Sequence, residues 1–414
     1  MNLAEIVDNA LNDRAIVFGS LPPGGRDLDL LVRDHSHRAV MSALEKRGAI
    51  GVDEQWALFT GCKVQSVDVV PASDWQVTPG ALAALFEDSL PLPHFNHIRQ
   101  PAPRHVLLIL ARRRAFDNGP LPEKHRARIE QALSGDHAGW ASARSEAQSW
   151  RAVTALECLH RSMQNRKPSD RLLARARGEI LGGSTPRGWV SFVPRPKRGR
   201  VIALSGLDGS GKSTQARHLQ ETLEKLGMEA VVEWNRITAN PSLDVIAAPV
   251  KRAFRSSVDD NGSSSDVGHA GHSLRKDNAT VNYIWSLIVA IANGFAHRRA
   301  TARHVRNGRA VICDRYVLDS IVHLRDVYGP ENRFRLHIAA IKALSPKPSA
   351  AYWLDVPPDV ALARKADEYN EAELGQQRAL YEGIYESVGA TRLDGTTAEP
   401  KLCERIAIDC WPRL

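Results

Sequence analysis

Apolar positions follow two different rhythms along this chain, and the change falls near residue 200. Beyond it, short apolar runs read as strands at 201–205, 229–234, 309–313, 350–356 and 390–394, with helical patterns between them. Ala216, Leu219, Leu223 and Leu226, for example, recur on one helical face. This alternation predicts an α/β domain over 200–414, a parallel sheet flanked by helices on both faces. Before residue 200 the order differs. Ala15 to Phe18 and Leu28 to Val32 read as strands, Val64 to Val70 as a third, and Trp56 to Thr60 pairs with it as a hairpin. From about Pro103 the chain becomes helical and Arg-rich, as in Val106 to Arg113 and Glu123 to Leu133. The pattern predicts an α+β domain over 1–100 and a helical subdomain over 101–186. The Pro-, Gly- and Arg-rich stretch 187–199 reads as a linker. Arg255 to Asn278, rich in Ser, Gly, Asp and His, has no periodicity and is expected to be a loop. His269 and His272 lie in it without the Cys or helical partners that a metal site would need.

Composition changes this picture only a little. The 414 residues suit two domains, and 43% hydrophobic with 25% charged residues suits a soluble globular chain. A formal charge of +8 fits anionic partners without requiring them. Five scattered cysteines, an odd number with no C-x-x-C spacing, argue against a disulfide framework or a zinc site. The amino terminus has no signal-peptide pattern, and the longest apolar stretch, Tyr283 to Ala296, is too short to span a bilayer. A cytoplasmic protein with no membrane partner is expected.

The chemistry concentrates where the second rhythm begins. The strand Val201 to Ser205 runs into Gly206-Leu207-Asp208-Gly209-Ser210-Gly211-Lys212-Ser213-Thr214, and a helical pattern follows. This is a phosphate-binding loop in its required context. Gly206, Gly209 and Gly211 let backbone N–H groups close on a polyphosphate. Lys212 would reach the β/γ-phosphates of ATP, and Ser213 is placed to ligate Mg²⁺. A second apolar strand ends in Asp314-Arg315-Tyr316. There Asp314 would hold the metal or its water, and Arg315 would face a phosphorylated acceptor.

These runs, with Leu354-Asp355-Val356-Pro357-Pro358, resemble the thymidylate kinase family across about 200–414. The resemblance implies a P-loop nucleoside monophosphate kinase fold with strand order 2-3-1-4-5. It also implies an ATP site over Lys212, a lid arginine at Arg364, and an acceptor that is a nucleoside monophosphate or a related small phosphorylated compound. Asp208 is then placed near the acceptor sugar. The chain departs from that family at three points. Glu233-Trp234-Asn235-Arg236 replaces its Arg-Glu-Pro-Gly-Gly run, Asn293 stands near its thymine-reading arginine, and Ala366 to Glu371 makes the lid acidic.

A second constellation lies upstream. Asp27 and Asp29, two apart on a strand, point to one face, and Asp68 lies on a strand expected beside them. Three converging carboxylates would hold divalent ions for an in-line displacement at a nucleotide phosphate. With Gly19-Ser20, they resemble the nucleotidyltransferase family related to polymerase β, over about 10–75. Two other readings stay open: a kinase and nucleotidyltransferase acting on nucleic-acid ends, and a nucleotide-binding regulatory protein with little turnover. A homodimer is likewise open.

Overall fold

The computed structural model describes residues 2–19, 27–134, 138–182, 199–234, 279–329, 334–365 and 370–414. The 255–278 stretch, linker residues 187–198, Ser20, Arg236 and 366–369 of the lid lie outside the described residues. The chain divides into two compact units, Met1–Phe59 with Val64–Pro196, and Thr60–Lys63 with Lys197–Leu414.

The first unit opens with α1 (Leu3–Ala10), β1 (Ala15–Val17), β2 (Asp27–Val32), α2 (Asp34–Lys46), β3 (Ile50–Val52), β4 (Gln55–Thr60) and β5 (Lys63–Pro71). It continues with α3 (Pro79–Glu87), β6 (Leu90–Pro91), β7 (Ile98–Gln100), α4 (Pro103–Phe116), α5 (Glu123–Ser134), α6 (Gly139–Glu146), α7 (Val153–Met163) and α8 (Asp170–Leu181). Its strands form one sheet in the order β3-β4-β5-β2-β1-β7-β6. β1 runs antiparallel to β2, and β2 runs parallel to β5. Alternation along the strands sorts side chains between two cores. Leu28, Leu30 and Val32 of β2 join α1 and α2 on one face. Leu31 of β2 and Val70 of β5 join Leu107, Leu108, Trp150, Leu159 and Ile180 of the helical extension on the other. Residues on both sides of position 100 contribute to this second core. Arg112, fully buried in that core, donates to Trp150 O (2.9 Å) and Trp75 O (2.5 Å) and so ties the two segments together. Burial lowers its pKa to about 9, with Arg151 adding to the effect.

The second unit runs β8 (Arg200–Gly206), α9 (Lys212–Lys225), β9 (Ala230–Trp234), α10 (Ala279–Arg306), β10 (Ala310–Asp314), α11 (Val317–Tyr328) and α12 (Arg335–Leu344). β11 (Ala350–Asp355), α13 (Pro358–Arg364), α14 (Glu371–Glu382), β12 (Thr391–Asp394) and α15 (Glu399–Cys410) complete it. All strand pairs are parallel, in the order β12-β11-β8-β10-β9, which counted within this unit is 2-3-1-4-5. That is the order implied by the resemblance. Central strand β8 is buried on both faces, as its uninterrupted apolar run requires. Register sets Asp314 against Leu204 and Leu354 against Gly206, so β8, β10 and β11 end at one carboxyl edge. Ligands of open parallel sheets bind at such an edge. Among the described residues, no helix is long and apolar enough to cross a membrane.

Candidate functional site

The loop between β8 and α9 has the backbone that a phosphate cradle needs. Gly206, Gly209 and Gly211 sit at φ of 146°, 80° and 88°, a region that L side chains disfavour. Space also excludes a side chain at two of them. A Cβ on Gly206 would lie 2.6 Å from Leu354 O, and one on Gly209 would lie 2.3 Å from Ala361 O of α13. The loop leads into the amino end of α9, where unsatisfied N–H groups and the helix dipole favour an anion. Ser210 is buried in the turn, its N–H donating to Leu207 O at 3.0 Å, and Thr214 is half-buried in the first turn of α9.

Lys212 is 5% exposed, and its Nζ donates to Gly206 O (2.9 Å) and Leu207 O (2.7 Å). Burial pushes its pKa down to about 8; Arg315 adds to the push, while Asp319, Asp314 and Asp208 oppose it. A cation this poorly solvated is primed for a phosphate oxygen. Ser213 Oγ donates to Asp314 Oδ2 at 2.5 Å, so the two residues expected to serve a metal are brought together. Mg²⁺ keeps several waters, takes phosphate oxygens, and needs only one or two protein oxygens. The Ser213–Asp314 pair fits that demand. Among the described residues, no group of three or more His, Cys, Asp or Glu side chains forms a metal cage.

Arg315 has φ 74°, a left-handed backbone costing about 1–2 kcal/mol for a side-chain-bearing residue. Its N–H to Leu204 O (3.0 Å) and its ion pair with Asp208 hold it there. Lys365 Nζ lies 3.8 Å from the other Asp208 oxygen. Asp208 therefore gathers Arg315 and Lys365 beside Lys212. Arg364, expected from the lid, is exposed at the end of α13 and donates to Gly395 O (3.1 Å). Its helix reaches the loop through Ala361, whereas its guanidinium is engaged beyond β12.

Two residues not singled out from the sequence complete the site. Asp319 is 1% exposed and accepts from Tyr316 N (2.9 Å) and Gly206 N (3.3 Å). The Tyr381 hydroxyl, from α14, donates to Asp319 Oδ1 (2.8 Å) and lies 3.1 Å from Gly206 O. Together they hold the first loop glycine from behind. Burial, reinforced by the Asp319 charge, raises the Tyr381 pKa well above its ordinary value and keeps the hydroxyl a donor. Asp355, in the third motif, is clasped by Arg378 (2.7 and 3.1 Å) and Arg392 (2.6 and 3.0 Å). Burial raises its pKa, but the two arginines win and hold it below the ordinary carboxylate range.

Sequence comparison adds an independent finding. A thymidylate kinase from Symbiobacterium thermophilum is 28% identical over 200 residues, covering 48% of this chain and 81% of that protein. One from Caenorhabditis elegans is 28% identical over 168 residues (41% and 68%), and one from Akkermansia muciniphila is 26% identical over 221 (51% and 90%). About half of the chain is similar to thymidylate kinases. With the parallel sheet and the glycine loop, this similarity marks the second unit as a P-loop kinase-like fold. No protein-family profile matches the chain.

The upstream carboxylates belong to the first unit. β2 and β5 pair with Asp29 directly opposite Asp68. Asp27, opposite Ser66, begins the described part of β2, and its side chain lies outside the described residues. The expected set of three is thus visible as a pair. Gly19 abuts it: a Cβ there would lie 1.7 Å from Asp29 Oδ2.

Proposed function

We propose that the second unit transfers the γ-phosphoryl of ATP to a nucleoside monophosphate. The observation that carries this reading is the convergence of Lys212, Ser213, Asp314 and Arg315 at the carboxyl edge of a parallel sheet. The likeness to thymidylate kinases supports it and makes thymidylate the first acceptor to try. Phosphoryl transfer demands positioning and charge neutralisation more than covalent help. Lys212 exchanges the loop carbonyls for β/γ-phosphate oxygens. Ser213 and Asp314 would hold Mg²⁺, which would supply charge neutralisation for the phosphates. Arg315, held rigid by its backbone and by Asp208, binds the acceptor phosphate, and Arg364 leaves Gly395 to meet the transferred group. Asn293, buried on α10, stands near the position at which the resembled family reads its base, so a broader or altered base choice is expected. Chromatography of reactions containing Mg²⁺–ATP and each nucleoside monophosphate tests the proposal. Formation of a matching diphosphate supports it, and no diphosphate from any acceptor refutes it.

The first unit is proposed to be nucleotidyltransferase-like, a reading supported by Asp29 facing Asp68 on adjacent parallel strands beside Gly19. Both residues are hard oxygen donors suited to a divalent cation.

A further inference from the structure

Beside Tyr316 of the Asp314-Arg315-Tyr316 run lies a buried histidine that the proposed reaction does not use. His297, on α10, is 2% exposed. Both of its ring nitrogens have partners: Nδ1 lies 2.9 Å from Ser345 Oγ, and Nε2 lies 3.3 Å from Ser320 Oγ. Its ring packs on that of Tyr316, with centroids 4.5 Å apart and planes tilted by 30°. Burial holds the ring neutral by lowering its pKa to about 4, against the opposing charge of Asp319. A neutral imidazole donates through one nitrogen and accepts at the other, and each serine hydroxyl can take either role. The ring is therefore held at both nitrogens and packed against the tyrosine.

The partners of His297 belong to the segments that carry the site. Tyr316 follows Arg315 directly, and its hydroxyl donates to Pro346 O at 2.8 Å. Its N–H donates to Asp319 Oδ2 at 2.9 Å, and Asp319 in turn accepts from Gly206 N of the phosphate loop. Ser320 is the next residue of α11, and its N–H donates to Tyr316 O at 3.0 Å. Ser345 caps the end of α12 and precedes Pro346, so His297 and Tyr316 are moored to the same two residues. Arg315 stands between Asp314 and this moored tyrosine in its left-handed backbone (φ 74°), a conformation that persists only where the surroundings over-determine it. A second buried pair offers a contrast. Ser286 Oγ of α10 lies 2.9 Å from His337 Nε2 of α12, so it ties two of the same helices. His337 Nδ1 has no hydrogen-bond partner, and this pair makes no hydrogen bond to the segment 314–320.

We propose that His297 is a positioning residue for phosphoryl transfer: moored to Ser320 and Ser345, its ring holds Tyr316, and through Tyr316 the Arg315 backbone, in the posture that receives the acceptor phosphate. The proposal rests on the kinase reading of the second unit and adds to it a residue that touches neither nucleotide. A buried polar network with every member paired rigidifies its surroundings and specifies a single arrangement, which apolar packing of similar volume does less strictly.

The test uses the full chain with Mg²⁺–ATP and the best nucleoside monophosphate acceptor. His297→Phe keeps a ring against Tyr316 and removes both hydrogen bonds, and Ser345→Ala removes one of them. The acceptor's kcat/KM should fall about tenfold in His297→Phe and about threefold in Ser345→Ala, because catalysis by positioning is sensitive to small displacements. The Kd of ATP, read by calorimetry, should stay within about twofold in both, since only the acceptor side is disturbed. Ser286→Ala breaks the other tie between α10 and α12; it should lower the unfolding midpoint and leave the acceptor's kcat/KM within about twofold. Ser345→Ala decides the matter should the phenylalanine variant fail to fold. An acceptor kcat/KM that holds in the His297 and Ser345 variants, or that falls as far in Ser286→Ala, overturns the positioning role and leaves the kinase reading standing. Absence of any diphosphate from the wild-type chain overturns the kinase reading and this role with it.

Discussion

Replacing Tyr381 by Phe asks whether the first loop glycine is held from behind. The hydroxyl lies 2.8 Å from Asp319 Oδ1 and 3.1 Å from Gly206 O, and Asp319 also accepts from Gly206 N at 3.3 Å. Phe preserves the ring and its stacking on Trp353, at 6.0 Å and 10° between planes, so the perturbation is confined to one oxygen. A hydrogen bond to a buried carboxylate contributes about 1.5–3 kcal/mol, and the long Gly206 bond left behind compensates little. On a unit of roughly 220 residues, about 2 kcal/mol lowers the unfolding midpoint by about 4–8 °C. Gly206 then drifts, and kcat/KM for ATP falls about tenfold, because catalysis by positioning is sensitive to small displacements. Differential scanning calorimetry and a coupled kinase assay read the two effects. A midpoint that falls while kcat/KM holds refutes the positioning role; if neither changes, the contact is without energetic consequence.

Three further outcomes follow from the same geometry. Gly209→Ala places a Cβ 2.3 Å from Ala361 O at φ 80°, so ATP affinity measured by calorimetry should drop sharply, and unchanged affinity would contradict the cradle. Because Lys212 loses its proton above about pH 8, kcat/KM for ATP, which reports the free enzyme, should fall about tenfold per pH unit beyond that point; a flat profile to pH 10 would contradict it. Asp355→Asn should destabilise the unit by about 2 kcal/mol at pH 7, the arginines being partly solvated. The Asp355 pKa is depressed in the fold, so its contribution is present above the unfolded value near 3.9 and vanishes as pH falls through the lower folded value. The gap between wild type and variant, followed by urea unfolding, should therefore close in acid and stay open at neutral pH.

What could be read from the sequence tracks how local each feature is. The loop from Gly206 to Thr214 is contiguous, and its glycines announce their backbone angles, so its role is legible in one dimension. β8, β10 and β11 of the second unit carry buried apolar runs and are legible too, while the partly exposed β9 and β12 are legible from their alternation with helices. β3, β6 and β7, two or three residues each, are too short to show alternation and emerge only through pairing. Asp319 and Tyr381 lie 62 residues apart and meet across α11 and α14, a contact no spacing rule encodes. Arg378 and Arg392 converge on Asp355 for the same reason. Asp29 and Asp68 were legible as strand positions, and their exact opposition depends on the β2–β5 register.

The central claim is that Lys212 anchors ATP for phosphoryl transfer to a nucleoside monophosphate. The initial rate of diphosphate formation, with Mg²⁺–ATP and the best acceptor, should fall by about 10³-fold or more in Lys212→Ala. A Lys212→Ala enzyme that forms diphosphate as fast as wild type would contradict it.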